Sequence, residues 1–120
     1  MLAKDLMRRK VICLTPAMSL RRALELFDEH SISGAPVVTA EGGLVGVLSR
    51  TDLPGHDLSQ RVEQAMTPWA VSFEEDTPAR ELARQMLSKR IHRVVITKDG
   101  AIRGIVTSLD LLKALLEDAP

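Results

Sequence analysis

Residues 46–53 read GVLSRTDL and residues 104–111 read GIVTSLDL, so a chain of 120 residues carries one pattern twice: a glycine, two branched aliphatics, a hydroxyl residue, two variable positions, an aspartate and a leucine. The likeness extends beyond the motif. At a shift of 59, Met7 falls on Met66, Arg21 on Arg80 and Ile32 on Ile91. After a one-residue difference in a turn, Gly42 meets Gly100, Gly46 meets Gly104 and Asp52 meets Asp110 at a shift of 58. A duplicated chain has few ways to fold, because each copy is one supersecondary unit that buries its apolar face against the other. The expected organisation is a first repeat over residues 1–58 and a second over 59–120, together one compact module of ordinary domain size.

Local signals come in the same order in both copies. Residues 11–14 and 71–73 are short apolar stretches that read as extended. Leu20, Ala23, Leu24 and Phe27 then recur at three and four, as do Leu82, Met86 and Leu87, which predicts amphipathic helices over 19–30 and 77–90. Ser19 and Thr77 are natural caps, and Pro78 suits a first helical turn. The apolar runs 35–38 and 94–96 end in Glu41-Gly42-Gly43 and Lys98-Asp99-Gly100, and residues 44–48 and 102–106 follow, which predicts two β-hairpins. After the second motif, residues 111–117 continue as a helix. After the first, Pro54 and Gly55 cut the element short and 57–65 begins a connecting helix. The fold class is α/β (α+β), two β-α-β-β-α units packed sheet to sheet with helices outside.

Composition excludes several function classes. Lys and Arg total 16, as do Asp and Glu, so the electrostatic footprint of a nucleic-acid binder is absent. No apolar run approaches a membrane span and residues 1–10 lack the apolar centre of a signal peptide, so the expectation is a cytoplasmic protein with no membrane partner. Aromatics make up 2% of the chain, so aliphatic residues and Met must build the core. The single cysteine, Cys13, lies in an apolar run and reads as a small buried strand residue. His30, His56 and His92 are far apart without metal-ligand spacing, and one cysteine makes no zinc site. Glu74-Glu75-Asp76 precede a helix, where negative charge favours the dipole. With no phosphate-binding glycine loop either, the chain does not read as an enzyme, and neither a catalytic residue nor a metal ligand is expected.

The repeat length of nearly sixty residues, ISGAPVV at 32–38, IHRVVI at 91–96, VEQAMTP at 62–68 and the paired Gly-x-x-(Ser/Thr)-x-x-Asp motifs together resemble a tandem pair of CBS domains, the regulatory module named after cystathionine β-synthase. The resemblance covers residues 4–117. It implies two pseudo-twofold related units with two clefts between them, each able to hold AMP, ADP, ATP or S-adenosylmethionine as a regulatory ligand, with no cofactor. A homodimer is also expected, and with no effector domain in the chain the regulated protein is expected to be separate, or the chain to be a piece of something longer. His92-Arg93 matches the pair that such units use for phosphate; the first copy has Ser33-Gly34 there, so the clefts are expected to be unequal. By the same matching, Met7, Lys10, Ile12 and Ile32 border one base slot, and Met66, Trp69, Val71 and Ile91 the other. The Asp110 motif then faces the first slot and the Asp52 motif the second.

The motif residues suit that chemistry. A carboxylate accepts from two vicinal hydroxyls at once, so Asp52 and Asp110 fit a ribose, with Ser49 and Thr107 as short hydroxyl donors beside them. Gly46 and Gly104 remove a side chain where backbone and ligand can approach. The competing reading is a capping box, in which hydroxyl and carboxylate satisfy the free N–H groups of a helix start. Pro54-Gly55 after Asp52 argues for binding in the first copy, and the two roles can coexist. A second function class also stands: a structural pair without a small-molecule ligand, dimerising or docking a partner through Leu111, Leu112, Leu115 and Leu116.

Overall fold

A computed structural model describes residues 1–68 and 70–118. The chain forms two compact units, one made of residues 12–70 and the other of residues 1–11 with 71–120. The chain's first eleven residues thus pack with the second half of the sequence.

In the unit of residues 12–70, α2 (Leu20–His30) starts at Ser19, whose hydroxyl accepts the Arg22 N–H at 3.1 Å. It ends at Ser31 in the left-handed region, with φ of 52°. The antiparallel hairpin β1 (Gly34–Val38) and β2 (Leu44–Ser49) turns at Gly42, where φ is +86°. The expected strand over 11–14 is reduced to one parallel bridge, Leu14 to Val37. Leu14, Leu20, Phe27, Val37, Leu48 and Val62 are fully buried and form this unit's core.

In the other unit, α1 (Ala3–Leu6) precedes a three-stranded sheet ordered β3 (Ser72–Glu74), β4 (Arg93–Lys98), β5 (Ala101–Thr107), with β3 parallel and β5 antiparallel to β4. The hairpin turns on Asp99 and Gly100, with φ of 52° and 83°, the two successive positive values that a tight two-residue hairpin needs. α4 (Ala79–Lys89) and α5 (Ser108–Asp118) complete it, over a core of Ala3, Met7, Leu82, Met86, Val94, Ile96 and Val106.

The two units repeat each other in detail. Arg90 ends α4 in the left-handed region as Ser31 ends α2. Each hairpin carries a bulge at the same place, Val45 in one copy and Arg103 in the other, immediately before the motif glycine. In each, a run-in segment docks on that glycine: Met7-Arg8 on Gly104, and Met66-Thr67 on Gly46. Reciprocal backbone bonds join Arg8 to Ile105 (2.9 and 3.1 Å) and Thr67 to Val47 (2.9 and 3.1 Å). A Cβ on Gly46 would collide with the Thr67 carbonyl and lie 2.9 Å from Met66 Sδ; one on Gly104 would lie 2.8 Å from the Arg8 carbonyl and 2.7 Å from Met7 Sδ. The glycines are therefore required by the run-in backbone, the close backbone approach that the sequence suggested.

Four other expectations are corrected. Thr77 does not cap α4: Pro78 holds the cap position, and the Thr77 carbonyl instead accepts the Ala3 N–H at 2.8 Å. The connecting helix over 57–65 shrinks to α3 (Val62–Ala65). Asp57 Oδ1 takes the N–H and hydroxyl of Ser59 at 2.8 and 2.7 Å, and Arg61 is extended to pair with Ser19. Cys13 is exposed rather than buried, although shielding around its sulfur pushes the thiol pKa up. Leu87, expected on the buried face of α4, is 80% exposed. The expected contact of Trp69 lies outside the described residues.

Gly46→Ala and Gly104→Ala should each lower unfolding stability by about 1–3 kcal/mol, the usual cost of forcing atoms into a packed site. Urea unfolding followed by circular dichroism measures this, and a change within about 0.5 kcal/mol, the range of harmless surface substitutions, would rule out the close approach.

Candidate functional site

Each motif begins inside a strand and runs past its end. In the first copy, the chain leaves β2 at Ser49 and makes a single 3-10 turn, Arg50–Asp52, before Pro54 and Gly55. The Asp52 carboxylate folds back: Oδ2 accepts the Ser49 N–H at 2.8 Å and lies 3.3 Å from the Ser49 hydroxyl, which is 2.7 Å from the Thr51 hydroxyl. The Arg50 N–H donates to the Ser33 carbonyl at 2.9 Å, which draws Ser33 beside the motif. The Arg50 guanidinium is drawn elsewhere, to Asp28 at 2.6 Å and over the Phe27 ring at 5.7 Å. Among the described residues, Asp52 Oδ1 has no partner.

In the second copy the capping box is reciprocal. Asp110 Oδ2 accepts the Thr107 N–H at 2.9 Å, and the Asp110 N–H donates to the Thr107 hydroxyl at 3.2 Å. Two free donors at the start of α5 are thereby satisfied. Arg93 is the direct cross-strand neighbour of Thr107, and the Ser108 N–H donates to the His92 carbonyl at 2.9 Å. Thr107, Asp110, His92 and Arg93 are thus gathered within one unit, with His92 exposed and Arg93 half-buried. The capping reading holds in both motif copies, completely in the second and through the carboxylate alone in the first.

Of the other expected residues, Ile12 and Ile32 lie half-buried in the unit of Ser33, Ser49 and Asp52. Val71 and Ile91, half-buried, and Lys10, exposed, belong to the unit of Asp110. Met7 stands against Gly104 and Met66 against Gly46, so each run-in methionine shares a unit with its matched motif.

One residue escaped the sequence reading. Arg8 Nε donates to Asp110 Oδ1 at 3.3 Å, although the two are 102 positions apart. The Asp110 side chain is 9% exposed and that of Arg8 55%. At the same shift of 59 that aligns Met7 with Met66, Arg8 aligns with Thr67, so a cation stands at one motif and a hydroxyl residue at the other. Aligning charges as well as apolar residues across the repeat exposes that difference.

A broad apolar groove of about 860 Å³ runs between α4 and α5, lined by Ala83, Met86, Leu87, Leu111, Leu112 and Leu115 among others. Among the described residues no cluster of three or more His, Cys, Asp or Glu could hold a metal, and no helix is long and apolar enough to cross a membrane.

Comparison with known proteins agrees with this fold. The CBS domain family model matches residues 3–54 and 62–117. Inosine-5'-monophosphate dehydrogenase of Methanocaldococcus jannaschii is 32% identical over 113 residues, which cover 92% of this chain and 23% of that protein. The YlbB protein of Bacillus subtilis is 32% identical over 115 residues, 90% of this chain and 78% of its own length. The chain therefore spans under a quarter of the dehydrogenase. The CBS domain pair of protein MJ0100, solved with 5'-methylthioadenosine and S-adenosyl-L-methionine, superposes with a TM-score of 0.92 at 26% identity over 99% of this chain and 98% of that one. CBSX2, solved with AMP, gives 0.86 at 28% identity over 97% and 96%.

The two caps carry unequal weight, and stability should show it. Asp110→Ala removes a cap from an eleven-residue helix together with an ion pair, and should cost about 1–2 kcal/mol. Asp52→Ala serves only a three-residue turn and should cost less than half of that. Denaturant unfolding of the two variants side by side reads the difference, and equal losses would contradict it.

Proposed function

Because this chain belongs to the CBS domain family, we propose that it is a non-enzymatic regulatory module that binds an adenosine-containing ligand, one of AMP, ADP, ATP or S-adenosylmethionine. The observation that carries this reading is the Asp52 carboxylate. Half-buried and oriented by the Ser49 N–H, it keeps Oδ1 for a further donor, beside two hydroxyls. A ribose supplies two adjacent hydroxyl donors of the right kind for such an acceptor. In this reading Ser49 and Asp52, and Thr107 and Asp110, take the sugars, while His92 and Arg93 supply the charge-assisted bonds a phosphate needs. Lys10 adds positive charge, Ile12, Ile32, Val71 and Ile91 offer apolar surface to a base, and Ser33 is the weaker counterpart of His92.

Ligand binding produces a signal when it favours one arrangement of the module over another. The regulated protein is then a separate chain or a further part of a longer one. Two relatives support the ligand class, having been solved with S-adenosyl-L-methionine and 5'-methylthioadenosine and with AMP.

Isothermal titration calorimetry with the four ligands is the direct test. At least one should bind in the micromolar to submillimolar range, and Asp52→Ala should weaken it about tenfold or more, as expected for losing a hydrogen bond to a charged group. Absence of heat with all four at millimolar ligand would remove the proposal.

A second property rests on the groove between α4 and α5. Leu112 and Leu115 line it while 55% and 68% exposed, an arrangement suited to a second copy of the chain. If the module is a homodimer built through this face, Leu115→Glu should convert it to monomer in sedimentation velocity while leaving nucleotide binding measurable. A wild-type monomer at all concentrations would exclude the dimer.

A further inference from the structure

We infer that Arg8 gates the second motif and makes it selective for adenosine ligands that carry a phosphate. The inference rests on the reading above, in which Asp52 and Asp110 accept ribose hydroxyls. Asp110 has both carboxylate oxygens engaged, Oδ2 by the Thr107 N–H at 2.9 Å and Oδ1 by Arg8 Nε at 3.3 Å, and is 9% exposed. The cap belongs to the helix start and is reinforced by the Asp110 N–H. The guanidinium is the part that can move. It is half exposed and makes one long bond, and ion pairs of that kind contribute little to stability. The backbone beneath it is fixed by the two hydrogen bonds between Arg8 and Ile105, so only the side chain swings.

Swinging Arg8 away frees Asp110 Oδ1 for a ribose and leaves a guanidinium in need of an anion. A phosphate on the same sugar supplies one, since guanidinium binds phosphate through two parallel N–H bonds. Adenosine supplies none, and the sulfonium of S-adenosylmethionine adds a positive charge near the cations Arg8, Arg9 and Lys10. The ligand thus replaces one ion pair with another only if it is anionic. The first motif has no such gate: Thr67 stands where Arg8 stands, and among the described residues no cation pairs with Asp52. Discrimination by phosphate at Asp110, without the same discrimination at Asp52, is the consequence.

Calorimetry with AMP and adenosine tests this in the Asp52→Asn protein, where Asp110 is the remaining intact motif carboxylate. With Arg8 present, AMP should bind about tenfold or more tightly than adenosine, the size expected for a charge-assisted contact. Arg8→Gln should bring the two within about threefold, adenosine gaining and AMP losing, and Arg8→Lys, which keeps the charge, should retain part of the preference. Thermal unfolding of each variant establishes that it is folded, as expected for changes to an exposed side chain. If both ligands bind and Arg8→Gln leaves their ratio unchanged, the gate is wrong and the nucleotide reading survives. Binding lost in Asp52→Asn and not restored by Arg8→Gln also overturns the gate. If neither ligand binds the wild type or any variant, the nucleotide reading itself falls.

Discussion

A backbone carbonyl pressed against a residue that has no Cβ holds each unit together. The Arg8 carbonyl meets Gly104 and the Thr67 carbonyl meets Gly46, and reciprocal hydrogen bonds to Ile105 and Val47 lock both contacts. Much of the rest follows from these two approaches. They seat Met7 in one core and Met66 against the other. Each also lies one residue past a bulge, where the local twist of the strand increases. In the second copy the approach delivers the Arg8 side chain to Asp110.

In the proposed function the motif serves two ends with one carboxylate. An aspartate three residues beyond a hydroxyl residue satisfies the start of a helix, and that engagement holds the carboxylate in one orientation. Orientation is also what recognition of a sugar requires, because a preformed acceptor loses less conformational freedom on binding. In the proposed function stability and recognition therefore do not compete for Asp52, whose second oxygen has no partner among the described residues. Under the Arg8 proposal they are arbitrated at Asp110 by that side chain, so the two halves agree in fold and differ in chemistry.

The sequence disclosed the architecture through its repetition. Two helices, two hairpins and their order were legible because apolar spacing and glycine-bearing turns act locally, and Ser19 was legible as a cap for the same reason. The strand at 11–14 was not, since a single bridge at Leu14 is decided by what Val37 presents to it. The connecting helix was overread because Asp57 binds Ser59 in a turn before any helix can form. At the motifs, residue types and spacing singled out two carboxylates that each accept the N–H of the hydroxyl residue three positions earlier, and whether such a carboxylate also binds a ligand depends on its neighbours. Arg8 lay hidden for a deeper reason: its partner is 102 positions away, and no local pattern announces a contact of that range.

The unit containing residues 1–11 is assembled from two separate stretches of chain, with the other unit inserted between them. During synthesis the run-in emerges first yet finds its glycine only after β5 has been made, whereas residues 12–70 hold everything their own core needs. Domains tend to form as their sequence is completed, so the inserted unit can fold while the earlier segment waits with its apolar residues uncovered. Closing the long loop adds an entropic cost that grows only slowly with length, so the arrangement delays the first residues more than it weakens them. Order of appearance and order of folding are thereby reversed for the segment that carries Met7 and Arg8.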